Sequence, residues 1–367
     1  MKIECIKEKL RNGIISAEKV TGKNLSLAVL GTVLIGAGDE GLLLKATNLD
    51  LGVEIVIPAK VEKKGAVAVS GSVLGNFLSA IGAEHSIKLE SINENLAITS
   101  DHHSTLLKSL PTGDFPTIPR VTDGESFEIP AARFVGGLRS VCYAASISDM
   151  KPEISSVYVY GEGSSLVFAA TDSFRLAEKK VDLGGKHGIS SHMLIPFKNA
   201  LEIIRIFDGV EDDMAVRFNK NQISLMSPGV YLTSRLVSGV FPNYRQIVPS
   251  TKKTSAVVEK REFMGALKLA QIFSDKFSQV QFKIVPGDRV FEIGSRNTET
   301  GENTTTVEAT LEGEELAISF NVKYILDCFQ SIPEDSLSLE FNGPGRPMIV
   351  RGLGNGSFLY LVMPMNR

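Results

Sequence analysis

IECIKEKLRNGI from Ile3, FEIPAARFVGGL from Phe127 and AVVEKREFMGAL from Ala256 are three versions of one pattern. They recur at intervals of about 125 residues, the mark of an internally repeated architecture. In each, a strand-like alternation runs into a helical apolar face. Leu10, Ile14 and Ala17 are matched by Phe134, Leu138 and Val141, then by Phe263, Leu267 and Ala270. This spacing is one side of a 3.6-residue helix.

Working outward, a second helix recurs in every unit. Ser70, Pro196 and Asn321 suit a helix start or first turn. Beyond them lie the apolar sets Leu74, Phe77, Leu78, Ile81; Ala200, Ile203, Ile204, Phe207; and Ile325, Cys328, Phe329, Ile332. Hairpins are predicted with turns near Thr47, Thr171 and Asn297, and further strands at Ile87–Leu89, Ala215–Phe218 and Leu337–Phe341. Each unit then reads as two β-α-β-β-β halves. The predicted fold is α+β, with antiparallel sheets carrying helices on one face. Three domains are expected, at 1–122, 125–249 and 254–367, each large enough for its own core. Short polar linkers fall near Val121–Glu125 and Ser250–Thr254.

The chain has 367 residues, a net charge of −3 and three cysteines, Cys5, Cys142 and Cys328, all at apolar-patterned positions. An odd, sparse set of this kind reads as buried reduced thiols. The N-terminus is charged from Lys2 to Arg11, and the apolar run at Leu27–Gly38 is too short and glycine-rich to span a bilayer. A cytoplasmic protein with no membrane association is expected. The overall charge does not suggest a nucleic-acid binder, but its distribution does. Residues 1–23 hold six Lys/Arg against three acids, 131–146 hold Arg133 and Arg139 and no acid, and 260–276 hold four bases against two acids. The first helix of every repeat is locally basic in an acidic chain.

No catalytic constellation emerges. Gly36-Ala-Gly-Asp-Glu-Gly41 has phosphate-loop spacing, but the LLLKAT that follows reads as a strand, so it is a hairpin turn. Gly352-Leu-Gly-Asn-Gly is likewise a turn between the last two strands. The five histidines show no metal-ligand spacing, and no nucleophile elbow or P-loop is present. No metal and no cofactor are expected.

Four motifs are more specific: TDSFRLA at Thr171–Ala177, FPNYRQIVP at Phe241–Pro249, NVKYILD at Asn321–Asp327 and YLVMPM at Tyr360–Met365. In this order on a threefold repeat, they resemble the bacterial DNA polymerase III beta subunit, the sliding-clamp family, over the whole chain. The resemblance implies a head-to-tail ring of two subunits. Helices would line the inside, sheets would form the outside, and duplex DNA would pass through. It implies a non-catalytic processivity factor whose partners are DNA, a second copy of itself, the polymerase III alpha subunit, the clamp loader and other proteins carrying a clamp-binding peptide.

Helix size gives independent support for two copies. With helices about 8–10 Å apart, a ring of six leaves a hole of roughly 9 Å, whereas twelve leave roughly 28 Å. Duplex DNA, roughly 20 Å wide, fits only the larger ring. Lys7, Arg11, Lys23, Arg139, Lys198 and Lys268 are the candidate DNA-facing cations, acting through the sequence-independent phosphate term. The resemblance places one side of the subunit contact at Ile272 and Phe273 and the other at Leu106 and Leu107. It places a peptide cleft at Ile154, Thr171, Phe174, Arg175, Leu176, Pro242, Gln246, Ile247, Phe277, Asn321, Tyr324, Pro347, Val362, Met363, Pro364 and Met365. Methionines suit such a site because they repack readily. Phe174 stands where the family usually has histidine, Gln246 where arginine is common, and Thr105 where an aromatic often stands. Pro152 and Glu153 replace two aromatic DNA contacts.

Two further readings are an enzyme, such as a hydrolase at the Thr171–Asp172 turn, and a purely structural repeat protein. The missing nucleophile–base pair argues against the first, and the recurring basic helices argue against the second.

Overall fold

The computed structural model describes residues 1–22, 27–82, 84–184 and 189–365. The first repeat runs β1 (Lys2–Ile6), α1 (Lys7–Val20), β2 (Thr32–Gly38), β3 (Gly41–Thr47), β4 (Leu51–Ile57), β5 (Ala59–Lys63), β6 (Gly65–Ser70), α2 (Gly71–Ala80), β7 (Ser86–Ile92), β8 (Asn95–Thr99), β9 (Ser104–Leu107) and β10 (Ser109–Leu110). The second runs β11 (Glu125–Pro130), α3 (Ala131–Val141), β12 (Ser156–Glu162), β13 (Ser165–Thr171), β14 (Arg175–Asp182), β15 (His192–Pro196), α4 (Phe197–Ile206), β16 (Asp213–Phe218), β17 (Gln222–Ser227) and β18 (Val230–Arg235). The third runs β19 (Thr254–Glu259), α5 (Lys260–Ile272), β20 (Gln279–Val285), β21 (Val290–Asn297), β22 (Gly301–Thr306), β23 (Ala309–Gly313), β24 (Leu316–Asn321), α6 (Val322–Asp327), β25 (Ser336–Phe341), β26 (Met348–Gly352) and β27 (Phe358–Val362). Every repeat thus carries the β-α-β-β-β half twice, with β5, β10 and β23 as short additions.

The repeated helical faces are the core. All nine matched residues, from Leu10 to Ala270, have no exposed surface. Burying a side chain such as Leu10 or Phe134 is worth about 1.5–3 kcal/mol. Ser70 accepts a hydrogen bond from the Val73 amide at 3.4 Å, and Asn321 one from the Lys323 amide at 3.0 Å. Both cap their helices as their residue types suggest. Pro196 closes β15 immediately before α4. In α3, Gly137 lets the helix touch the sheet: a Cβ there would lie 2.4 Å from the Phe168 ring. Under α5 the aromatic centroids of Phe263, Phe282, Phe291 and Phe320 lie 5.4–6.0 Å apart in successive pairs. The turn between β2 and β3 occupies the Gly36–Gly41 motif, as expected.

Among the described residues all the strand pairings are antiparallel, in four sheets. One has five strands, β5-β1-β7-β8-β9, and one has four, β22-β21-β20-β24. The other two have nine: β10-β6-β2-β3-β4-β18-β17-β16-β11 and β15-β12-β13-β14-β27-β26-β25-β19-β23. The nine-stranded sheets cross repeat boundaries, and the chain packs into two compact units. The first is 1–135 with 198–236, and the second is 136–197 with 237–367. The middle repeat divides because β18 joins β4 through five residue pairs, and β14 joins β27 through five.

The three cysteines are buried and free. Burial pushes the Cys5 and Cys142 thiols up to about 12. No helix among the described residues is long and apolar enough to cross a membrane, and no cluster of metal-ligating side chains occurs among them.

Candidate functional site

The expected cleft residues that carry specific motifs all lie in the second compact unit, and the β13–β14 hairpin organises them. Thr171 Oγ1 donates to the Arg175 carbonyl at 2.7 Å and accepts from the Ser173 amide at 3.1 Å. Asp172 Oδ1 accepts from the amides of Phe174 and Arg175 at 2.9 and 3.0 Å. Ser173 takes a left-handed φ of 78°. Thr47, Asn48 and Leu49 build the same turn in the first repeat, Leu49 also having a φ of 78°. The threonine and Asx side chains act as surrogate turn backbone. This explains Thr171 and Asp172 without catalysis.

The turn pushes Phe174 out, 61% exposed, while Leu176 is fully buried. The Met363 amide donates to the Phe174 carbonyl at 2.8 Å, and Arg175 pairs with Val362 across β14 and β27. The YLVMPM segment is thereby stitched to the hairpin. Met363 packs on the core that holds Leu176, Phe241 and Tyr244. The Met365 amide donates to the Ser319 carbonyl at 2.8 Å. Asn321 reaches the Phe277 carbonyl at 3.2 Å. Tyr360, buried, donates to the Tyr324 carbonyl at 2.7 Å. Ile154 and Pro347 are buried, Pro242 and Gln246 exposed, and Ile247 and Phe277 are 49% and 58% exposed. The turn carrying Gln246 and Ile247 is fixed by Tyr244, whose hydroxyl lies 2.9 Å from that of Tyr160 and donates to Glu178. Burial, with the nearby Glu178, holds the Tyr244 phenol well above its ordinary pKa.

Two carboxylates that sequence reading left out join this site. Arg175 is 9% exposed. Its Nε donates to Asp172 Oδ2 at 2.9 Å, and its Nη1 donates to Asp327. Its guanidinium lies 4.6 Å from the centroid of the Tyr324 ring and 6.0 Å from that of Tyr143. Asp327 was visible as the last residue of the NVKYILD motif, but its partner across 152 positions was not.

Of the candidate cations, Lys7 is corrected by the structure. It is 7% exposed, and its ammonium donates to the carbonyls of Ile81 at 3.0 Å and Gly82 at 2.9 Å. It satisfies the C-terminal end of α2 rather than facing a ligand, because a lysine stem packs well while its head finds carbonyls. Arg11 stays on α1, paired with Glu8 at 3.0 Å. Arg139, Lys198 and Lys268 are exposed on α3, α4 and α5. Lys23 lies outside the described residues.

The remaining candidates sit beside open sheet edges. β9, bearing Leu106 (54% exposed) and Leu107, is the last strand of its five-stranded sheet. β22 is the last strand of the four-stranded one. Phe273, just after α5, lies 4.0 Å from where a Cβ on Gly301 of β22 would be. Ile272 is 65% exposed. Sequence reading named the patches and the hairpin that contains β22, but did not assign β22 to the subunit contact.

Family models for the N-terminal, central and C-terminal domains of the DNA polymerase III beta subunit match residues 1–119, 128–243 and 245–366. The beta sliding clamp of Staphylococcus aureus is 28% identical over 357 residues, spanning 95% of this chain and 94% of its own. The solved beta subunit of Thermotoga maritima superposes with a TM-score of 0.93 at 25% identity, covering 100% of this chain and 99% of that one. A Pseudomonas aeruginosa sliding clamp bound to griselimycin gives 0.93 at 22% identity, with both chains fully covered.

Proposed function

The chain belongs to the DNA polymerase III beta subunit family, the bacterial sliding clamps, and on that premise we propose that two copies close head to tail into a ring around duplex DNA. The ring tethers the polymerase III alpha subunit and other partners in the cytoplasm, is opened by a clamp loader, and has no catalysis of its own. The three repeats, 1–122, 125–249 and 254–367, are its clamp domains.

One observation carries the ring. The last strand of one half joins the last strand of another twice within the chain, as β4·β18 and β14·β27. The remaining equivalents are β22 and β9, both at sheet ends. Joining β22 of one copy to β9 of the next would add four strands to five and make the same nine-stranded sheet again. The strand faces give the register. Inward-facing Asn303 corresponds to Val53, and inward-facing Thr105 corresponds to Leu232, which pairs with Val53. Asn303 would therefore lie opposite Thr105, and Gly301 opposite Leu107. Leu107 would then pack on Phe273, where Gly301 leaves room. A contact between different patches generates a closed ring when its rotation closes.

Arg11, Lys23, Arg139, Lys198 and Lys268 are the proposed DNA-facing cations. Diffuse phosphate attraction lets such a ring slide, whereas base contacts would create stopping points. The cleft around Phe174, Leu176, Tyr324 and Met363 is the proposed peptide site. Its support is the griselimycin-bound relative and the apolar, partly exposed lining. Griselimycin binding that competes with a peptide from the alpha subunit tests the cleft. Competition is expected, and independent binding of the two would refute it.

A further inference from the structure

Resting on the reading of the cleft as a peptide site, we infer that Asp172 and Asp327 are its specificity and positioning residues: they hold Arg175 as an internal strut, so the site favours an uncharged apolar segment over an acidic one. Arg175 is the one residue of the proposed lining with an ionic side chain. In a less enclosed setting its guanidinium would be the natural receptor for a peptide carboxylate. Here both carboxylates already occupy it, one at each end, and the ring of Tyr324 covers it. The three ionic groups together carry a net charge of −1. Gln246 adds no charge.

The same contacts fix the cleft's shape. Asp172 closes the turn that presents Phe174 and also grips Arg175. Asp327 ties Arg175 to α6, which carries Tyr324. The strut therefore joins the hairpin to the helix that face the peptide. Lys276, whose ammonium lies 5.1 Å over the Phe277 ring, stands next to another lining residue. The test accordingly changes a partner of Arg175 and leaves Lys276 in place, with Arg175 itself changed only as a control.

Two blocked apolar hexapeptides that differ at a single central position, asparagine in one and aspartate in the other, serve as competitors of griselimycin on the full-length protein. The native protein is expected to bind the asparagine peptide at least as well as its aspartate analogue. Asp327→Asn keeps the shape and removes one negative charge from the strut. It should shift the ratio of the two affinities about threefold or more toward the aspartate peptide, the scale of one half-exposed charge pair. Asp327→Glu should restore the native ratio, and Arg175→Met should make the ratio indifferent to residue 327. A purely structural role would weaken both peptides alike and leave the ratio where it was; that result overturns the inference. If griselimycin itself does not bind the native protein, the cleft reading fails, and the inference fails with it.

Discussion

Proline at Thr304 tests the proposed subunit seam at a single backbone hydrogen. In β4 and β14, alternate residues turn their amides away from the preceding strand. Val56 donates to the Gly229 carbonyl at 2.8 Å and Lys180 to the Ser357 carbonyl at 2.7 Å, both toward the joining strand. The equivalent residues of β22 are Glu302, Thr304 and Thr306, so the Thr304 amide points at the open edge. Proline there removes a donor that the subunit's own sheet does not use, a position that edge strands tolerate. At the seam it deletes one ladder bond and leaves a partner carbonyl unpaired, at a cost of about 1–3 kcal/mol. That cost corresponds to a roughly 5- to 150-fold weaker dimer. Sedimentation equilibrium reads the dimer constant, and circular dichroism with thermal melting reads the fold. Thr304→Pro should weaken the dimer and keep the monomer's melting temperature. Asn303→Pro, one residue away and bonded inward to β21, should instead lower the melting temperature. An unchanged dimer constant for Thr304→Pro would refute the register, and equal damage by both variants would refute the alternation behind it.

Other consequences follow from single contacts. Lys7→Met leaves the Ile81 and Gly82 carbonyls without their donor, so denaturant unfolding should show a loss of about 1–3 kcal/mol, with DNA retention by intact rings unchanged. Glu202 has one carboxylate oxygen unpartnered and buried, and desolvation raises its pKa despite Arg205. A raised carboxyl contributes stability below its unfolded pKa that is lost as pH rises through the folded value. Glu202→Gln should therefore raise the melting temperature at pH 7 and flatten its fall between mildly acidic and neutral pH. Met363→Ala removes a half-buried anchor from the cleft and should weaken griselimycin binding about tenfold or more, on the scale of a buried methionine truncation, while sedimentation shows the dimer intact.

The helices were legible because their signal is local. Leu10, Phe134 and Phe263 and their companions follow a 3.6-residue period that any sheet-packed helix must satisfy, and all are fully buried. The hairpin turns at Thr47 and Thr171 were legible for the same reason: the turn is made by its own side chains. What was not legible depends on partners far away in sequence. β14 reads RLAEKKVD whether or not β27 lies beside it, so the division of the middle repeat between two units left no local trace. Lys7 reads as one more base on a basic helix. Only the carbonyls of α2, more than seventy residues on, make it a buried lysine. For the proposed cleft, the resemblance supplied candidate residues, but the strut between Asp172, Arg175 and Asp327 required the pairing of the hairpin with α6.

Topology offers the most direct test of the central claim. The protein is assembled on nicked circular DNA with a clamp loader, then passed through a sizing column before and after the circle is cut once. A ring held by encirclement stays with the circle through the column and leaves the DNA when the ends are opened, at a salt concentration where phosphate contacts alone do not hold it. Retention that survives linearisation would contradict the ring, and so would no retention on the circle.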